Sequence, residues 1–212
     1  MVVRLSDEIS PFWFWEGAIP SNVCDQIINS VDERNYNMGG IIEKKDNGRI
    51  SEDVSEKNFH KSTRNVYVQF TEIPWINNLM MGFILSANEN NFLYDLTIED
   101  RESCQISKYV GSMNDSQYYN THQDWVALRG AKAHTRKLSL SCQLTNPNDY
   151  QGGDLNLYLT DPSLSSPVKY TVSKKQGTVV VFDARIMHEV EPVISGTRHS
   201  VVKWYHGDKP LR

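Results

Sequence analysis

The chain has 212 residues with a formal net charge of -4, and 39% of them are hydrophobic, 10% aromatic and 23% charged. That length supports one sizeable core but not two ordinary domains, so a single domain over 1–212 is expected, and the composition excludes a wholly disordered chain. The slightly acidic balance supplies no general field for nucleic acid, and no run approaches the ~20 apolar residues of a membrane span, so neither nucleic acid nor membrane is expected as a partner.

The opening stretch MVVRLSDEISPFWFWEGAIP is interrupted by Asp7, Glu8, Pro11 and Glu16, unlike the apolar core of a signal peptide. Trp13, Phe14 and Trp15 within it read as a packing anchor. Residues 21–34 start with Ser21 at a capping position and repeat Val23, Ile27, Ile28 and Val31 at the spacing of one helical face. Residues 36–61 are charged, glycine-containing and aperiodic, which leaves two readings open, a lid over a substrate or plain surface disorder. TRNVYVQF at 63–70 alternates as a strand does. Residues 72–91 then place Trp75, Ile76, Leu79, Met80, Phe83, Ile84 and Ala87 at helical spacing, with Pro74 in the first turn.

From residue 92 the character changes to short β-prone runs, FLYDL, CQISKYV, KLSLSCQL, DLNLYL, VKYTV, TVVVFD and HSVVKWY, several of them separated by turn sequences. Helices followed by closely spaced strands predict an α+β domain whose β part is a sandwich or barrel. Cys24, Cys104 and Cys142 are far apart and form no CxxC pair, so they are expected as buried thiols of a reducing, cytoplasmic compartment.

The segment NTHQDW, residues 120–125, places His122 and Asp124 two apart, and on an extended backbone positions i and i+2 point the same way. Among the other histidines, His188 follows the apolar strand in VVVFDARIMHEVEPV, where it would project from a rigid strand end. Two imidazoles and one carboxylate make the facial triad of non-haem Fe(II), which leaves coordination positions open for a chelating co-substrate and dioxygen. Arg198, in SGTRHSVVKWY, has the two-pronged donor that holds a distal carboxylate, and Ser200 shares its strand face. His199 alternates to the opposite face, and His134 and the C-terminal HGDKPLR read as solvated. Trp125 and Trp204 each have two readings open, a substrate mouth or the core.

Over roughly residues 100–206, the segments YVGSMNDSQYYNTHQD, RKLSLSCQLTNPNDYQGGDLNLY and QGTVVVFDARIMHEVEPVISGTRHSVVKW resemble the Fe(II)- and 2-oxoglutarate-dependent oxygenases of the prolyl 4-hydroxylase-like branch. The resemblance implies a double-stranded β-helix, or jelly roll, over about 101–206, with supporting helices and a lid within about 1–100. It implies Fe(II), 2-oxoglutarate and O2 as cofactors, with ascorbate a candidate reductant. His122, Asp124 and His188 then correspond to the iron ligands and Arg198 to the partner of the 2-oxoglutarate C5 carboxylate, with Ser200 and Tyr109 beside it. Gln143 stands where some relatives carry a second co-substrate tyrosine, and GSMNDSQ lengthens the interval between Tyr109 and Tyr119, which is expected to reshape the pocket rim.

For substrate contacts the resemblance nominates Arg136 or Lys137 and Tyr119, with Arg64 and Tyr67 as weaker candidates; adjacency to Asp124 adds Trp125, and Trp204 on the last strand is a further candidate. The implied reaction is hydroxylation of a prolyl residue in a protein or peptide, with ribosomal or other translation proteins among the targets. Two alternatives stay open: the same cofactor chemistry on a free amino acid or other small molecule, and a jelly-roll metal- or ligand-binding module without catalysis.

Overall fold

Alternation along the strand at 137–144 decides where the cores lie. From β8 (Thr135–Gln143), Leu138, Leu140 and Cys142 enter one apolar cluster, whereas Ser139 and Gln143 bond to residues on the other side. The structure is a computed structural model and describes residues 9–39, 63–97, 102–112, 115–125, 135–160 and 166–207. Most of the expected 36–61 segment, with His60, and also His134 lie outside the described residues.

In chain order the remaining elements are β1 (Phe12–Trp15), α1 (Ser21–Asn29), β2 (Asn37–Met38), β3 (Arg64–Asn65), β4 (Tyr67–Thr71), α2 (Pro74–Ala87), β5 (Cys104–Ser112), β6 (Asp115–Ser116) and β7 (Tyr118–His122). After β8 come β9 (Tyr150–Gly152), β10 (Leu155–Leu159), β11 (Val168–Thr171), β12 (Val179–Asp183), β13 (Met187–Val190) and β14 (Val193–Gly207). A nine-stranded sheet runs β1-β12-β8-β14-β5-β4-β2, with β6 on β5 and β9 on β14, and a five-stranded sheet runs β11-β10-β13-β7-β3. Every pairing is antiparallel.

The large sheet is covered on both faces. Val179 and Val181 of β12 join the cluster with Ile27, Ile76, Met80 and Ile84 of the helices, while Val180 and Phe182 join Leu155, Leu157 and Val190 of the small sheet. Burial on both faces is why TVVVFD is a continuous apolar run instead of an alternating one.

Several local expectations are corrected. Pro20, not Ser21, is the N-cap of α1, and no side chain caps it. The helix stops at Asn29, short of residue 34, where the Ser30 hydroxyl donates to the Ile27 carbonyl at 2.7 Å and competes with the helical ladder. FLYDL is not a strand: Phe92 closes a π turn after α2, Leu93 is left-handed at φ 55°, and the Asn88 amide brackets Tyr94 through its N–H at 2.8 Å and its carbonyl at 3.0 Å. The aromatic anchor is itself a strand, with β1 closing the β12 edge and Trp15 meeting Phe83 edge-on at 5.1 Å. No helix among the described residues is long and apolar enough to cross a membrane.

The turn that enters β12 depends on Gly177, at φ +79°, where a Cβ would lie 1.9 Å from the Ile19 carbonyl oxygen. Gly177→Ala therefore combines a left-handed backbone with a backbone clash, and is expected to cost about 3 kcal/mol or more. At roughly 2–4 °C per kcal/mol for a chain of this size, thermal melting should fall by about 6–12 °C. A variant melting with the wild type would show that the turn relaxes freely.

Candidate metal centre

His122 ends β7, and His188 lies directly opposite it in the register of β13. Asp124 follows two residues later, beyond the strand. One ligand atom from each of the three falls within 4.8 Å of the others. His122 Nε2 is 3.8 Å from one Asp124 carboxylate oxygen and His188 Nε2 is 3.4 Å from the other.

Both imidazoles are oriented from behind. His122 Nδ1 meets the Asn120 carbonyl at 2.8 Å and His188 Nδ1 meets the Ile186 carbonyl at 2.9 Å, so Nδ1 carries the proton and Nε2 is left for a metal. Tyr119 stacks on His122 at 3.5 Å and 14°, and Phe182 meets His188 edge-on at 4.8 Å. Ser139 donates to Asp124 Oδ2 at 2.8 Å.

Asp124 is 7% exposed, and burial opposes its ionisation, but the His188 and His122 charges and the His188 hydrogen bond hold it far below the ordinary carboxylate range. Burial, reinforced by the His188 charge, lowers His122 to about 3, so it is neutral at physiological pH. Burial also works against protonation of His188, yet Asp124 pulls it above its ordinary value. An ionised carboxylate beside imidazoles that are held on Nδ1 and present Nε2 is the donor set that Fe(II) accepts, and the residues present fit such an ion.

Arg198 lies 1% exposed in the middle of β14, opposite Tyr109 of β5, with its guanidinium carbon 5.2 Å from the tyrosine ring centre. Its Nη2 donates to Gln143 Oε1 at 2.9 Å and its Nη1 to Ser200 Oγ at 3.4 Å, while Nε has no partner. No carboxylate among the described residues pairs with it. Neutral acceptors cannot offset the burial of a full charge, so an anion placed beside the guanidinium would be strongly stabilised there. Burial raises the Tyr109 phenol, the Arg198 and Arg64 charges oppose that rise, and the Asp124 charge adds to it.

Sequence reasoning missed Tyr150. β9 pairs with β14 at Gly196 and turns the 4%-exposed Tyr150 toward Arg198. Burial raises its phenol, and the neighbouring Arg198 partly restrains that rise. Gly153, at φ +66°, lies against both, since a Cβ there would be 2.9 Å from Arg198 Cδ and 3.5 Å from the tyrosine ring. The signal in the sequence is the pair of glycines in YQGG, which allows the backbone to approach closely there. Gln143 orients the guanidinium, and Tyr150 brings a phenol to it from a different element.

At the rim, Arg64 lies 4.6 Å over Tyr119, and its Nη2 donates to Gln105 at 3.3 Å, so Arg64, Tyr119 and His122 form one stack. Arg136 lies 3.8 Å over Trp204, whose indole is buried, and its Nε donates to Glu102 at 3.0 Å. Glu102 also meets His206 Nε2 at 3.2 Å. Lys137 lies instead against Gly207. Trp125 is 37% exposed, with its backbone N–H on the Ala184 carbonyl at 2.9 Å. Tyr67 is on β4 opposite Lys108. His199 turns away to Thr145 at 3.4 Å, and burial followed by the Lys108 charge lowers it to about 4.

Residues 104–206 match the model of the 2OG-Fe(II) oxygenase superfamily. A PKHD-type hydroxylase from Crocosphaera subtropica is 28% identical over 127 residues, 59% of this chain and 53% of the relative. One from a Synechococcus species is 30% identical over 124 residues, covering 57% and 51%. The chain thus spans about half the length of these curated relatives. Among solved structures, a Pseudomonas putida prolyl-4-hydroxylase superposes with TM-score 0.64 at 16% identity, covering 94% of each chain. A Trichoplax adhaerens prolyl hydroxylase, in complex with a hypoxia inducible factor oxygen degradation domain peptide fragment, gives 0.65 at 17% identity, covering 92% and 83%. At those identities the likeness is one of fold, a jelly roll of mostly antiparallel sheets.

Proposed function

We propose, for a chain whose residues 104–206 belong to the 2OG-Fe(II) oxygenase superfamily, that it hydroxylates a prolyl residue in a protein or peptide. Fe(II) would be held by His122, Asp124 and His188, and 2-oxoglutarate by Arg198. The observation that carries this reading is the buried Arg198 guanidinium of the large sheet, without a carboxylate partner among the described residues, in a structure whose small sheet carries the His122 and His188 of a largely buried His-Asp-His cluster.

Bound there, iron, 2-oxoglutarate and dioxygen supply the oxygen transferred to a C–H group, with succinate and carbon dioxide as co-products. The protein positions and shields. Arg198 grips the distal carboxylate through its fork, Ser200 and Tyr150 add hydroxyls, and Tyr109 walls the middle. Gln143 keeps the guanidinium from swinging. Phe182 and Tyr119 hold the two imidazoles and exclude water from one side of the triad. Arg136 on Trp204, Arg64 on Tyr119, and Trp125 form the lip over which a peptide backbone would lie. In this reading the whole chain works as one domain, the N-terminal helices support the large sheet, and the three buried thiols suit a reducing compartment such as the cytoplasm.

PKHD-type relatives and the peptide in the Trichoplax neighbour favour a peptidyl proline over a free amino acid. Incubating the protein with Fe(II), 2-oxoglutarate, ascorbate and proline-containing peptides, ribosomal segments included, should add one oxygen atom to a proline and release matching succinate. Succinate without peptide modification, but with oxygen added to a free amino acid, would replace the substrate and keep the chemistry. Arg136→Ala should raise the peptide KM about tenfold, the equivalent of ~1.4 kcal/mol, and leave peptide-independent 2-oxoglutarate turnover unchanged. An unchanged peptide KM would remove Arg136 from the substrate surface.

A further inference from the structure

The turn between β12 and β13 makes contacts that ligand chemistry alone does not require. Three consecutive carbonyls each accept a hydrogen bond from a ligand-bearing segment. Ala184 accepts from the Trp125 backbone N–H at 2.9 Å, Arg185 from the Gln123 side-chain amide, and Ile186 from His188 Nδ1 at 2.9 Å. Gln123 and Trp125 flank Asp124, the one member of the triad that lies outside a strand. A single stretch of backbone therefore sets where Asp124 lies relative to His188.

That stretch is held from outside the jelly roll. The Asp183 carboxylate accepts from the Arg185 backbone N–H at 2.8 Å, from its Nε at 2.8 Å and from its Nη2 at 2.5 Å, and it also accepts the Tyr94 hydroxyl. Arg185 Nη2 reaches the same hydroxyl at 3.3 Å. Tyr94 belongs to the segment after α2, where the Asn88 amide fixes its backbone on both sides. The turn is closed by Ile186 N–H on the Asp183 carbonyl at 2.9 Å, and Ala184 N–H ties it to Lys137 of β8 at 3.0 Å.

We infer that Tyr94, Asp183 and Arg185 form a latch that fixes the turn 183–186 and thereby the distance between Asp124 and His188, tuning the metal affinity of the site. The inference rests on the proposed metal-binding role of the triad. None of the three is in the triad, so they are positioning residues. Partners that orient first ligands typically matter by about 10–100-fold in metal affinity.

The test uses Co(II), which reports its coordination through visible d–d bands, on the full chain and on its Tyr94→Phe and Asp183→Asn variants. Both should bind Co(II) about tenfold or more weakly with an altered band envelope, while metal-free Tyr94→Phe melts within about 4–8 °C of the wild type, the loss of the hydroxyl's two hydrogen bonds, to Asp183 and from Arg185, of ~1 kcal/mol each. If Asp183→Asn does not fold, Tyr94→Phe decides the matter. Wild-type binding with unchanged affinity and spectrum in the variants would overturn the latch and leave the triad standing. Absence of Co(II) binding by the wild type would overturn the triad itself, and the latch with it.

Discussion

Arg198→Ala is expected to leave metal binding intact and to weaken 2-oxoglutarate binding by roughly 30-fold to several thousand-fold. Removing one side of a buried, hydrogen-bonded charge pair costs about 2–5 kcal/mol, and each ~1.4 kcal/mol is tenfold in affinity. The guanidinium is deeply buried and its described acceptors, Gln143 and Ser200, are neutral, so its removal takes away the charge that would face a bound carboxylate. An anaerobic titration with Fe(II) and 2-oxoglutarate, read through the visible metal-to-ligand charge-transfer band, measures this directly. Arg198→Lys should recover only part of the loss, because an ammonium is a point donor and lacks the fork. A band of full strength in Arg198→Ala would mean that the co-substrate pocket lies elsewhere. No band in the wild type, with iron bound, would favour a jelly-roll binding module without catalysis.

Asp124→Ala is expected to abolish the stabilisation that metal confers. A metal present at about a hundred times its dissociation constant adds ~2.7 kcal/mol to the folded state, which for a chain of this size raises melting by roughly 5–11 °C. Asp124 faces both imidazoles with its two oxygens and takes the Ser139 hydroxyl as well, so its removal leaves two neutral imidazole donors and no negative charge. Thermal melts with and without Co(II), and with a chelator to reverse the shift, give the answer. A metal-induced shift in Asp124→Ala equal to that of the wild type would place the ion at another site.

Local chemistry explains which parts of this arrangement were readable before any coordinates. The HxD pair, His188 after an apolar run, and Arg198 with Ser200 on one strand face depend on alternation along a strand and on donor type, both properties of a few adjacent residues. The structure brings the three metal-ligand candidates within 4.8 Å of one another and places Arg198 and Ser200 on β14 of the facing sheet. The choice between Arg136 and Lys137 could not be made that way. The β8–β14 pairing shifts register between Tyr205 and His206, and this places Arg136 over Trp204 and Lys137 against Gly207. Periodicity misled at FLYDL, where the side chain of Asn88, at the end of α2 and six residues earlier, captures the backbone of Tyr94.

By itself, then, the sequence determined the strand-rich α+β class, the identity of the candidate donors and the order in which the chain presents them, because side-chain chemistry and hydrophobic period are local. Tertiary structure decided the rest: β1 closing the β12 edge, Tyr150 arriving at Arg198 from β9, and Tyr94 meeting Asp183 across 89 residues. These contacts join segments far apart in the chain, and their existence depends on sheet register and the packing of two cores, which no short window of sequence encodes.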